Sequence, residues 1–240
     1  MRRLGQHFLS DPRILGRIVD ALDPVSGETV LEIGPGKGSL TEALLARGLN
    51  VVAIEKDREL AGALSRANLR VLVGDALRLE WPRVPKIVGN IPYYITSPLI
   101  EKALTPPLPE RVVFLVQAEV ADRLAASPGT KTYGALSIGV QAVCRVEKLF
   151  TIAPGSFKPP PKVRSAVVRL TPLAKPLVRP EETVSFRAFV TACFSRRRKQ
   201  LKNAVPGLSA DQLVALGIDP TVRPERLTPQ AFVLLLRSRG

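Results

Sequence analysis

The chain has no apolar run long enough to cross a bilayer, and runs such as Val112–Val116 stop far short of the roughly 20 residues a spanning helix needs. Basic residues open it (Met1-Arg2-Arg3-Leu4-Gly5-Gln6-His7), but no apolar stretch follows them, so no signal peptide is expected. Its two cysteines, Cys144 and Cys193, lack metal-ligand spacing and are too few for a disulfide framework. A cytoplasmic chain with two buried thiols is therefore expected. His7 is the only histidine, and no metal site is expected. Internal repeats and low-complexity tracts are also missing. Hydrophobic residues at 45% and charged residues at 23% suit a soluble globular protein, and 240 residues suit one large or two small domains.

What the chain has in excess is positive charge. Lysine and arginine number 35 against 21 acids, a formal net charge of +14. Residues 172–240 alone carry twelve basic residues against five acidic ones, so the C-terminal part is the more basic per residue. Such a charge favours a polyanionic partner, nucleic acid first and an anionic membrane second.

Asp11-Pro12 is a helix opening, with Asp as cap and Pro at the first helical position. Ile14, Leu15, Ile18, Val19 and Leu22 then share one helical face. Short runs rich in Val and Ile follow at Thr29–Ile33, Val51–Ile54, Val71–Val73, Ile87–Gly89 and Val112–Val116. Helical stretches separate several of them, including Leu40–Arg47 closed by Gly48, and Glu59–Arg66. This alternation predicts a mostly parallel α/β sheet with helices on both faces. Val146–Ile152 and Ala166–Leu170 are two more expected strands, joined by a proline-rich loop. A proline-rich linker then runs from Thr171-Pro172 to about Pro180. Beyond it the pattern is helical: Thr183 as cap with Phe186, Phe189, Val190, Cys193 and Phe194 on one face, a Ser209/Gln212 capping box, and Thr228-Pro229 opening a last helix. The expected domains are 1–171, α/β, and 172–240, all-helical.

Four strand ends carry the chemistry. Leu31-Glu32-Ile33-Gly34-Pro35-Gly36-Lys37-Gly38 joins a strand to a helix, and its glycines let the backbone lie close to a ligand. A dinucleotide fingerprint would need glycine where Ser39 stands, and no phosphate loop is present, so a nucleoside methyl donor fits better. Glu55, at the next strand end, can accept both hydroxyls of a ribose. Asp75, in Gly74-Asp75-Ala76, can accept from an adenine amine. Ligands of open α/β sheets bind at such carboxyl ends, so three in succession signal a nucleoside. The fourth is Asn90-Ile91-Pro92-Tyr93. An adenine amine is a poor nucleophile because its lone pair is delocalised into the ring. The Asn90 side-chain oxygen and the Pro92 carbonyl can grip its two hydrogens and favour a tetrahedral nitrogen. Tyr93 can stack on an extruded base.

Taken together, these motifs resemble the KsgA-type ribosomal RNA adenine dimethyltransferases, within the wider class that includes the Erm methyltransferases. The resemblance rests on Gly5-Gln6-His7-Phe8-Leu9, Leu31–Thr41, Glu55, Gly74-Asp75-Ala76, Asn90–Ser97, Tyr133-Gly134-Ala135-Leu136-Ser137, Phe157-Lys158-Pro159-Pro160-Pro161-Lys162-Val163 and Arg197-Arg198-Lys199. It implies a Rossmann-like class I methyltransferase domain over 1–171 that binds S-adenosylmethionine, and a helical RNA-binding domain over 172–240. It implies donor contacts from His7, Leu9, Gly34, Gly36, Glu55, Asp75 and Asn90, and a target adenine sandwiched by Tyr93 and Phe157. At His7 many relatives carry Asn. The implied reaction places two methyl groups on each of two adjacent adenines in the 3′-terminal hairpin loop of small-subunit ribosomal RNA. The implied partner is that RNA within the assembling 30S subunit, with a monomeric enzyme and no membrane.

Methyl transfer from a sulfonium needs placement more than a tuned base, which fits a site with one Asn and no catalytic His or Cys. The basic run Arg196-Arg197-Arg198-Lys199, with Lys202, is expected to extend the C-terminal helix and meet phosphates. Two alternatives remain at this level: Erm-like methylation of large-subunit RNA, and a non-catalytic ribosome-assembly factor on the same fold.

Overall fold

The computed structural model describes residues 7–239, so Gly5 and Gln6 of the first motif lie outside the described residues. By contacts the chain divides into two compact units. The first comprises residues up to 121 and 147–172; the second comprises 122–146 and 173 onward.

In the first unit a short strand β1 (Phe8–Leu9) precedes helix α1 (Pro12–Ala21). The Asp11 carboxylate accepts from the backbone N–H groups of Arg13 and Ile14, which satisfies two of the donors that every helix start leaves orphaned. There follow β2 (Thr29–Ile33), α2 (Ser39–Leu45), β3 (Asn50–Glu55), α3 (Arg58–Ala63), β4 (Leu69–Val73), β5 (Lys86–Asn90), α4 (Thr96–Ala103) and β6 (Arg111–Gln117). Each expected strand forms, most of them longer than read by one or two residues. Next in the chain are α5 (Ala118–Leu124), α6 (Ala135–Gln141), β7 (Cys144–Ile152), β8 (Phe157–Lys158) and β9 (Ser165–Pro172).

One seven-stranded sheet has the order β4-β3-β2-β5-β6-β9-β7. The pairs from β4 to β6 are parallel, and β9 returns antiparallel to β6. The order runs outward in both directions from β2 and β5, so the chain switches direction between them. A crevice opens at such a switch point, at the carboxyl ends of the strands. Val30, Val51, Val88, Val113 and Val167 form the core on one side of the sheet with Leu15, Ile18 and Leu44. β1 pairs antiparallel with β8 as a separate two-stranded ribbon.

The second unit contains α6 together with α7 (Thr183–Ser195), α8 (Leu201–Ala204), α9 (Ala210–Ala215) and α10 (Pro229–Arg237). Here the domain expectation needs correcting. Residues 122–146, assigned above to the α/β domain, pack with the C-terminal helices. Long-range bonds tie them there: Tyr133 donates its hydroxyl to the Leu227 carbonyl at 3.0 Å. The capping box of Ser209 and Gln212 and the Thr228 cap form as expected. Thr183 differs: it is the first helical residue, and its hydroxyl donates to the Arg179 carbonyl instead of capping. Cys144 and Cys193 are free and buried, and burial pushes both thiols up to about 12, which leaves them unreactive.

Among the described residues no helix is long and apolar enough to cross a membrane, and no three His, Cys, Asp or Glu side chains group as metal ligands.

Candidate active site

A cleft at the carboxyl ends of β2, β3 and β5 is lined by His7, Leu9, Gly34, Gly36, Glu55, Asn90, Pro92 and Tyr93, all of them expected from the sequence. Two further expected residues, Asp75 and Phe157, do not line it.

The glycine loop makes the floor. Gly36 has φ +57, and a β-carbon there would come within 2.8 Å of the Phe8 ring. Gly89, near the end of β5, lies closer still to its neighbour: a β-carbon would sit 2.6 Å from the Ile33 carbonyl oxygen, a backbone atom that cannot step aside. These positions leave the backbone bare at the crossover, as close approach of a ligand requires.

Glu55 ends β3 and is buried. Its carboxylate accepts from the Gly36 N–H at 3.0 Å and from the Asp57 N–H at 2.9 Å, so one side chain ties the loop to the next strand end. A carboxylate has about four lone-pair sites, and two remain for a ligand.

Asn90 ends β5. Its Nδ2 donates to the His7 backbone carbonyl at 2.8 Å. That bond fixes the amide's orientation, and Oδ1 has no hydrogen bond among the described residues. His7 is held in turn: Nδ1–H donates to the Pro159 carbonyl at 2.8 Å, and the ring lies 5.8 Å from that of Tyr93. Tyr93 is anchored by a 2.7 Å bond between its hydroxyl and Ser165 Oγ, while burial raises its pKa. The Pro92 carbonyl already accepts from the Ile95 N–H at 3.1 Å and lies 3.4 Å from the Thr96 hydroxyl, which is nearer the Tyr93 carbonyl at 3.2 Å. A carbonyl has two lone pairs, so with the single Thr96 hydroxyl hydrogen on Tyr93 it can accept one hydrogen more.

Asp75 stands two residues beyond β4, where its Oδ2 accepts from Lys56 Nζ at 2.9 Å and its Oδ1 from the Leu77 N–H at 3.0 Å. The Lys56 hydrogen bond is the main cause holding its carboxyl below the usual range. Phe157 is 2% exposed: it pairs with Leu9 in the ribbon and belongs with it to the apolar core, but only Leu9 also lines the cleft. Its ring is therefore not offered to a base in this conformation.

The basic run also differs from expectation. α7 stops at Ser195, and 196–199 form turns, with the Arg196 N–H on the Cys193 carbonyl and the Lys199 N–H on the Arg196 carbonyl. Positive side chains suit that place, because the last carbonyls of a helix carry partial negative charge. Arg197 is engaged within its own unit, donating to the Lys131 carbonyl at 3.0 Å and lying 3.7 Å from Glu225. Arg196, Arg198, Lys199 and Lys202 are exposed.

Three neighbours escaped the sequence reading. Glu32, inside the first motif, lines the cleft with its carboxyl fully buried. Ser165 could not be linked to Tyr93 without the β6–β9 pairing. Tyr94 is 62% exposed beside the site, and an unpatterned Tyr-Tyr pair was the only signal for it.

Comparison with known proteins agrees with this geometry. The model of the family described as ribosomal RNA adenine dimethylase matches residues 1–236. The ribosomal RNA small subunit methyltransferase A of Hahella chejuensis is 42% identical, over 97% of this chain and 90% of its own length. The protein of the same name from Acidithiobacillus ferrooxidans is 44% identical, over 98% and 92%. Among solved structures, a dimethyladenosine transferase from Plasmodium falciparum superposes with a TM-score of 0.83 at 30% identity, covering 97% of both chains. The 23S rRNA methyltransferase ErmE gives 0.72 at 28% identity, over 97% of this chain and 98% of its own. The chain therefore belongs to the ribosomal RNA adenine dimethylase family and is an S-adenosylmethionine-dependent methyltransferase of Rossmann-like fold.

Proposed function

We propose that the protein methylates N6 of two adjacent adenines in the 3′-terminal hairpin loop of small-subunit ribosomal RNA, with Asn90 as the residue that grips the target amine. The observation that carries this reading is the Asn90 amide, held through Nδ2 on the His7 carbonyl, with Oδ1 left without a partner among the described residues. The relatives named for the small subunit are more than 40% identical, whereas ErmE is 28% identical, which favours the small subunit over the Erm alternative. The intact cleft argues against a purely non-catalytic assembly factor.

The residues present fit the donor: bare backbone at Gly36 and Gly89, a ribose acceptor in Glu55, and apolar walls from Leu9 and Leu40. Bound there, S-adenosylmethionine supplies an electrophilic methyl on its sulfonium. His7, Leu9, Gly34, Gly36 and Glu55 hold the donor in place, and Asp75 accepts from its adenine at lone pairs not taken by Lys56 and Leu77. Asn90 Oδ1 and the Pro92 carbonyl accept the two hydrogens of the target amine and turn its lone pair toward the methyl. Such placement is the main source of rate in an in-line transfer. Tyr93 stacks on the base; Phe157 joins it only by swinging out of the core. The proton leaves after transfer, so no strongly basic side chain is required.

The first unit is the catalytic domain in this reading. The second meets RNA phosphates through Arg196, Arg198, Lys199 and Lys202, with Arg197 serving mainly to brace their turn. The enzyme works as a cytoplasmic monomer on the assembling 30S subunit. Asn90→Ala should lower methyl transfer to unmethylated small subunits by at least about a hundredfold while donor affinity changes little. Labelled donor reports both quantities, and unchanged turnover removes Asn90 from the role.

A further inference from the structure

We propose that Glu32 is a proton-coupled anchor for the positive charge of the donor: when the donor seats in the cleft, the Glu32 carboxyl ionises and its proton passes to solvent. This rests on reading the cleft as the donor site.

Glu32 is the penultimate residue of β2, in register with Ala53 of β3 and Val88 of β5. It is 1% exposed yet lines the cleft, walled by Leu15, Ile18, Leu40 and Leu115. Its hydrogen bond among the described residues comes from the Thr41 hydroxyl on α2, at 2.6 Å. The other acid of the cleft, Glu55, approaches from β3. The cations nearby are turned elsewhere: Lys37 Nζ sits 4.9 Å from the centre of the Phe8 ring, and His7 Nδ1 is bonded to Pro159. No described ion pair involves Glu32.

A carboxylate in such a place is costly, because desolvation disfavours its charge. Burial pushes Glu32 up to about 7; the Thr41 bond opposes the rise, and Glu55 adds to it. Near neutral pH the empty cleft therefore holds a substantial fraction of Glu32 as the neutral acid. S-adenosylmethionine brings a sulfonium and an ammonium against one carboxylate, a net charge of +1. A cation within about 4–6 Å returns a carboxyl toward its ordinary range. The balance is simple: neutral carboxyl plus cationic donor gives a carboxylate–cation pair and one proton in the buffer. Donor affinity should consequently strengthen about tenfold from pH 6 to pH 8 and level off above.

The test is calorimetric titration of the protein with S-adenosylmethionine at pH 6.5, in two buffers of different ionisation enthalpy. The dependence of the observed heat on buffer gives the protons exchanged. The wild type should release more than about half a proton per donor at pH 6.5 and almost none at pH 8.5. Glu32→Gln should lose that release, whatever the donor's own amine contributes. Thr41→Val, which removes the bond that favours ionisation, should keep the release and move it to higher pH. Equal proton counts in wild type and Glu32→Gln overturn the proposal, as does a Thr41→Val protein with an unmoved profile. Glu55→Ala separates the underlying reading: if the wild type binds donor and this variant binds it equally well, the cleft is not the donor site, whatever the proton count.

Discussion

An unpaired acid in the wall of a cleft destabilises the empty protein by an amount that depends on pH. For Glu32 the folded value lies near 7, above the ordinary 4.5. Below the ordinary value the group is neutral in both the folded and the unfolded chain, and the fold bears no penalty. As pH climbs from the ordinary value toward the folded one, the unfolded chain gives up its proton while the folded chain keeps it, and stability is lost; once the folded group has ionised too, the penalty is constant. Stability should therefore fall between about pH 5 and pH 8, by roughly 3 kcal/mol if this group acts alone. Urea titrations of donor-free protein at the two pH values measure the fall. Glu32→Gln should flatten that part of the profile, and a drop that persists in the variant assigns it to other groups. The same residue shows the limit of reading a motif by its glycines. Glu32 was visible in Leu31–Gly38, but its isolation depends on what β3, β5 and α2 place around it, which no local spacing reveals.

Among the elements, β5 joins two different tasks at its two ends. Asn90 closes it at the cleft, and Lys86 opens it at the opposite end of the sheet. There Lys86 Nζ donates to Glu28 at 2.8 Å and to the Asp23 carbonyl at 2.6 Å, with both charged side chains largely buried. Removing one partner of a buried pair strands the other charge, so Lys86→Met should cost about 3–5 kcal/mol in urea unfolding. Lys86→Met with Glu28→Gln should recover a good part of that loss. The protein that remains folded should bind donor normally, because the cleft lies at the far end of the strand. A single variant of wild-type stability would mean that the pair contributes little. The strands themselves were legible, since Val- and Ile-rich runs between turn residues leave few other structures open. Caps at Asp11, Ser209 and Thr228 were legible for the same reason: a short side chain bonds to backbone two or three residues away. Phe157 was not, because a two-residue strand has no periodicity, and only the pairing with Leu9 sends its ring into the core. Nor was the allegiance of 122–146, which is decided by bonds such as Tyr133 to Leu227, 94 residues away.

For the whole molecule, net charge sets the range and salt sensitivity of RNA binding, and the arrangement of the charges decides which of them count. A formal +14 draws a polyanion from any direction, but only side chains free to meet phosphate release counterions on binding. The basic run divides on this criterion. Arg198 and Lys199 are exposed on the turn after α7, whereas Arg197 spends its guanidinium on the Lys131 carbonyl and Glu225. Arg198→Gln with Lys199→Gln should weaken binding to the small-subunit hairpin RNA. It should also reduce the slope of log affinity against log salt by about 0.7–0.9 for each phosphate no longer neutralised, roughly 1.5 for the pair. Arg197→Gln should do something different: it frees a buried Glu225 carboxylate oxygen from its nearest cation, so its main effect is a lower unfolding midpoint with a nearly unchanged salt slope. Filter-binding titrations across a range of salt, beside thermal melts of each variant, separate the two effects. A full slope change from Arg197→Gln, or none from the Arg198/Lys199 pair, would reverse the assignment and make the engaged arginine the residue that meets phosphate.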